Sequence, residues 1–161
     1  MKDRIETHLT SGRGRVMLWR NVIIDYAAET RVETVKALRS VLPRWCRRAP
    51  TPLALFVYMP EEAMEQQASD EFRAELAQLW KQIDSTIAAH ALVFPGAGFK
   101  AAAFRGLLTS LNLRSQRPFP QFVAASIPAA AQWLEQRMNG AGAPFGSSSE
   151  LEATLAEALP R

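Results

Sequence analysis

Residues Leu53-Ala-Leu-Phe-Val-Tyr58 form an unbroken apolar run of strand length. A strand with one wet face alternates apolar and polar residues. A strand apolar at every position has to be covered on both sides, as in the parallel sheets of α/β proteins. The neighbours of this run agree. Before it, Val32, Val35, Leu38, Val41, Leu42 and Trp45 recur at helical spacing, and after it so do Phe72, Leu76, Leu79, Trp80, Ile83 and Ile87. Thr30-x-x-Glu33 predicts a capping box at the start of the first helix, and Pro43 is expected to kink or end it. Ser69, followed by Asp70 and Glu71, predicts the start of the second, whose Phe72, Leu76, Leu79, Trp80 and Ile83 should face the sheet.

The rest of the chain continues the alternation. Residues 15–28 hold two β-rich runs divided at Arg20-Asn21, after a turn at Ser11-Gly12-Arg13-Gly14, and Ile5–Leu9 suits a further edge strand. Ala91–Phe94 reads as a strand and Pro95–Gly98 as a turn. Phe99–Asn112 reads as a helix apolar on most sides, whose Gly106 implies close packing. Gln121–Ala125 is the next strand, and Ser126 with Pro128 opens a helix that Asn139-Gly140 stops. The order specifies an α/β fold with a mostly parallel or mixed sheet of about five strands. Residues 1–139 are expected to form the single domain. Residues 140–149, rich in Gly, Ser and Pro, read as a flexible linker, and residues 150–161 as an amphipathic helix marked by Leu151, Leu155 and Leu159, an appendage to the domain.

Composition narrows the chemistry. The chain has 161 residues, one cysteine (Cys46) and two histidines (His8 and His90). That excludes a disulfide scaffold and a closed zinc site, which needs about four Cys/His ligands, so no metal and no cofactor are expected. No apolar run approaches the roughly 18 residues of a membrane span, and Lys2, Asp3, Arg4 and Glu6 interrupt any signal sequence, so the expected location is cytoplasmic. The net charge of +3 is unevenly spread: residues 31–48 carry six Arg/Lys against Glu33, whereas residues 59–90 carry seven acids against Arg73 and Lys81. Such faces are either solvated and mutually attracting, or a bipolar surface that steers a charged protein partner. Nucleic acid is not expected, since no aromatic-rich strand or glycine-rich basic loop accompanies the positive charge.

Catalytic constellations are sparse. His90 falls where a helix hands over to a strand and reads as a structural histidine, Cys46 as a small buried hydrophobe, and Glu61-Glu62 as solvated acids. No P-loop lysine follows the glycines, and Gly96-x-Gly98 lacks the third glycine of a dinucleotide fingerprint. Ligands of open α/β sheets gather at the carboxyl ends of the strands. On this chain that edge collects Met59, Pro60 and Glu61 with Pro95, Gly96, Gly98, Phe99 and Lys100. Glycines there allow close backbone approach, and the helix start offers free N–H groups to an anion, with Lys100 adding charge.

One stretch is also similar to known proteins. The run from Ala91 to Arg105 (ALVFPGAGFKAAAFR) is followed by Leu107-Leu-Thr-Ser-Leu, Arg117-Pro-Phe-Pro, Phe122-Val and Ala130-Ala-Gln-Trp-Leu134. It resembles bacterial proteins of the STAS-like type (sulphate transporter and anti-sigma-factor antagonist), over residues 90–134 by recognisable residues and 16–138 by element order. The resemblance implies a non-enzymatic regulatory module that binds a protein partner, a second copy of the chain being one form of it. The alternative is a carrier or sensor of a small ligand such as an anion, nucleotide or lipid. Antagonists regulated by phosphorylation carry an Asp-Ser-like pair where the strand before the long helix ends. Here Val57-Tyr-Met-Pro-Glu-Glu62 contains no Ser or Thr, which puts that mode of switching in doubt.

Overall fold

The computed structural model describes residues 4–9 and 12–161. Its strands are β1 (Glu6–Leu9), β2 (Arg15–Trp19), β3 (Val22–Tyr26), β4 (Leu53–Tyr58), β5 (Ile87–Val93) and β6 (Gln121–Ala124). They form one mixed sheet in sequential order, β1 to β3 antiparallel and β3 to β6 parallel. The helices are α1 (Val32–Arg48), α2 (Asp70–Ile83), α3 (Phe99–Ser115), α4 (Ile127–Gly140) and α5 (Ser148–Ala158), with a 3-10 turn at Glu61–Glu65. The fold is α/β, as expected, with a sixth strand where Ile5–Leu9 had suggested one. Of the expected 11–14 turn, Ser11 lies outside the described residues.

Each parallel connection moves one strand further along the sheet. A constant crossover hand then keeps every connecting helix on the same face. Val35, Leu38, Leu42, Leu79, Ile83 and Ala101 of α1, α2 and α3 accordingly share one core with Ile23, Leu55 and Leu92. The opposite face, bearing Val22, Ile24, Ala54, Phe56, Ala89 and Ala91, is covered by Ala130, Ala131, Leu134 and Met138 of α4 and Leu151 and Leu155 of α5. The apolar run of β4 is thus buried from both sides.

The C-terminal segment is therefore built into the second core rather than hung from the domain. Ala143 and Phe145, within the stretch read as a linker, are buried there, and Phe145 packs on Trp19 with ring centroids 6.1 Å apart. Arg20 fastens the segment. It sits in the β2–β3 turn with φ of 52°, a left-handed conformation uncommon outside glycine. Its guanidinium donates to Phe145 O at 2.7 Å and Glu150 Oε1 at 2.9 Å. Ser147 and Glu150 form a capping box at α5, and the Arg20 guanidinium together with the Ser147 N–H holds the Glu150 carboxyl down at about 2.

Four local expectations are corrected. No side chain caps α1, because the Thr30 N–H (2.8 Å) and hydroxyl (3.2 Å) both donate to Gln66 Oε1, so the Thr30–Glu33 box does not form. Pro43 does not end α1, which runs on to Arg48. Ile87 opens β5 instead of ending α2, since the Thr86 carbonyl accepts from Leu53 N–H at 2.9 Å and draws the segment into the sheet; His90 consequently lies mid-strand. Gly106 of α3 meets open space, not a close neighbour. On α2, Leu79 and Ile83 are buried, while Phe72, Leu76 and Trp80 pack half-buried against the first core. The opposite charges of α1 and α2 face one another: Lys36 pairs with Glu71 at 3.3 Å and Arg39 with Glu75.

Candidate functional site

The parallel strands end together, and the Met59–Glu61 and Pro95–Lys100 segments meet at that edge. Met59 N–H donates to Val93 O at 2.9 Å, and Phe94 N–H to Ala124 O at 3.1 Å, extending the ladder past the strands. Met59 packs against the first core and Pro60 is buried. Glu61 is brought to Gly96 so closely that a Cβ there would overlap its carboxylate, and the same point touches Ala101 in the first turn of α3. Gly96, at φ of 114°, therefore has both a conformational and a steric need for glycine. Arg105 holds the turn from within α3, donating to Phe94 O at 3.1 Å and Gly96 O at 3.0 Å. Gly98, Phe99 and Lys100 point away from this contact: Gly98 has open space around it, and Phe99 and Lys100 are exposed. The turn thus presents its own carboxylate beside the start of α3, a favourable charge for a helix N-terminus, and an incoming anion has to compete with it.

Two groups at this edge escaped the motif reading. Asp25 shares the face of Ile23 near the end of β3, and burial pushes its carboxyl up to about 7. On the other face Tyr26 and Tyr58 stack with centroids 6.0 Å apart. Burial, then Tyr26, Glu62 and Glu61, raise the Tyr58 hydroxyl above its usual range. A lone carboxylate inside Val-Ile-Ile-Asp-Tyr was the sequence signal for the first, since a strand bordering an apolar core rarely carries one without a role or a partner.

The remaining polar groups lie deeper. His90 is buried against Trp80, ring centroids 5.4 Å apart, and burial lowers its pKa to about 4, opposed by the Gln121 side chain and aided by the Arg117 charge. Arg117 lies over Trp80 at 4.5 Å and pairs with Asp84 at 3.2 Å. Cys46 is buried at the end of α1, where burial raises its thiol to about 11, so it is protonated at neutral pH.

Helix α3 differs from the others. It sends Ala101, Phe104 and Leu108 toward the core, yet Phe99 is 90% exposed, Leu113 78%, Leu107 54% and Leu111 51%. These four are the exposed large hydrophobic residues among the described residues. The sequence signal was present, because a helix apolar on most sides cannot bury all of them against one face of a sheet. Charge adds to it. From Ser85 to Leu134 the sequence contains no Asp or Glu, but contains Lys100, Arg105, Arg114 and Arg117. Among the described residues no helix is long and apolar enough to cross a membrane, and no group of three or more His, Cys, Asp or Glu is placed to hold a metal. Comparison of the chain with protein-family models, curated proteins and solved structures finds no match.

Proposed function

We propose that this chain is a non-enzymatic regulatory module of STAS-like type that binds a protein partner through α3 and the Pro95–Lys100 turn before it. Among the described residues, the exposed large hydrophobic residues all fall on one helix, and that concentration carries this reading. Scattered apolar residues on a surface need no explanation, whereas large apolar residues gathered on one element mark an interaction site. The cations of α3 would add steering toward an acidic partner. The Glu61 carboxylate beside Gly96 favours a protein partner over a small anion at the turn.

The test is photo-crosslinking from position 99 in the cells that make the protein, with a crosslinker at exposed Gln82 as the control. A partner captured from position 99 alone, and lost in a Leu107→Glu, Leu113→Glu double variant of unchanged stability, is the expected result. Capture that is the same from both positions, or unaffected by the double variant, would remove α3 from the reading.

A further inference from the structure

Among the described residues, strand β6 closes the sheet at one end and pairs only with β5. Pro120 O accepts from His90 N–H at 3.0 Å and Ala124 O from Phe94 N–H at 3.1 Å, so residues 120, 122 and 124 direct their peptide groups toward β5. By the two-residue period of a strand, Gln121 and Val123 direct their N–H and C=O groups to the open side. A cavity of about 370 Å³ lies there. Its lining includes three consecutive strand residues, Gln121, Phe122 and Val123, whose side chains alternate between the two faces of the sheet. A cavity touched by all three runs along the strand edge and not over one face. Leu113 and Phe119 give it apolar walls, and Arg117, paired with Asp84, is part of its lining.

We propose that this edge takes an extended acidic segment of a partner protein as a seventh strand, its apolar side chains entering the cavity and its carboxylates meeting the exposed Arg114. Edge strands with unpaired peptide groups are templates for strand addition, in which the backbone supplies affinity and alternate side chains supply selectivity. Residues 85–134 contain no Asp or Glu, Asp84 is taken up by Arg117, and the exposed Arg114 therefore favours an acidic partner. A second copy of this chain would bring Arg114 to the same edge and offer it no complementary charge. The proposal rests on the interaction role given to α3 above and names the chemistry of what that role receives.

The probe is a short peptide alternating valine with glutamate, set against its lysine-for-glutamate counterpart and followed by amide exchange on the full chain. The glutamate peptide should protect the Gln121 and Val123 amides and bind at least about tenfold more tightly than the lysine peptide. Val123→Pro removes the outward donor while sparing the bonds to β5, a place where an edge strand tolerates proline. It should abolish the response with the Phe94 amide still protected. Arg114→Glu, at an exposed position, should weaken the glutamate peptide by about tenfold and leave the fold unaltered. Equal binding of both peptides, or binding without protection at Gln121 and Val123, overturns the proposal. So does a concentration-dependent dimer protecting those amides without peptide. A partner crosslinked from position 99 that leaves the two amides unprotected overturns strand addition while sparing the interaction role, whereas selective protection of the edge with no partner at position 99 does the reverse.

Discussion

Asp25→Asn should convert a pH-dependent stability into one less dependent on pH. Burial displaces the carboxyl from 3.8 to about 7, which corresponds to at most about 4 kcal/mol between its two protonation states. The sign follows from proton binding. Between these two values the folded chain holds a proton that the unfolded chain has released, so stability is greatest below pH 4, declines as the pH rises, and levels off above 7. Asp25 is half-buried and partly open to solvent, which screens the charge and brings the realised loss to about 2–3 kcal/mol. Asparagine has nearly the same shape and cannot ionise. Whatever fixed cost its amide incurs is the same at both ends of the range, and titrations elsewhere cancel between variant and parent. Urea unfolding at pH 3.5 and pH 8, with the denaturant slope unchanged, measures the difference. The variant should gain about 2–3 kcal/mol on its parent between the first pH and the second. A gain within about 0.5 kcal/mol of zero would mean that Asp25 ionises as freely in the folded chain as in the unfolded one, and the argument from burial would fail.

Further outcomes follow from the two cores and the tail. Leu151→Ala and Leu155→Ala should each cost about 2–5 kcal/mol in urea unfolding, because both side chains are fully buried under the sheet; deletion after Asn139 should leave a chain without cooperative thermal unfolding. His90, lowered from 6.5 to about 4, should stay neutral in a histidine-resolved NMR titration down to pH 5; its contribution is fully present above pH 6.5 and is lost as the pH falls through about 4. Glu150 is held near 2, so the support it gives α5 is present above pH 4.5 and disappears as the pH falls toward 2; Arg20→Ala should reproduce that loosening at neutral pH, seen as faster amide exchange in α5.

Much of the fold was legible because its signals are local. Ser69 accepts from Phe72 N–H at 3.1 Å and Ser126 from Ala129 N–H at 3.4 Å, as cap residues do, and the helical spacing of Val35, Leu38, Leu42 and Trp45 is the buried face of α1. What failed depended on a partner distant in sequence. Thr30 has the composition of a cap, but Gln66, on the far side of α1 and β4, takes its donors. The opposed charges of residues 31–48 and 59–90 suggested a bipolar surface. Their pairing at Lys36–Glu71 and Arg39–Glu75 becomes visible only once α1 and α2 lie side by side. The glycines and serines of residues 140–149 spoke for a linker, because composition does not reveal that Arg20 will reach Phe145 and Glu150.

Two features that local reading missed share one topological cause. A sheet that grows by single steps in one direction places α1, α2 and α3 on one side and leaves the other side bare. The apolar run of β4 already requires cover on that bare side, which α4, Ala143, Phe145 and α5 supply. The same growth reaches β6, whose outer edge pairs with no strand among the described residues. Helix α3, the last helix of the covered side, lacks a neighbour beyond it for the same reason, which is why Leu107, Leu111 and Leu113 stay exposed. In a sheet extended from both ends of a central strand, helices would cover both faces and the last helix would be one layer among several. Here the direction of growth gathers an unpaired strand edge, exposed apolar residues of α3 and a stretch free of acids at one end of the molecule, and the proposed partner site rests on that coincidence.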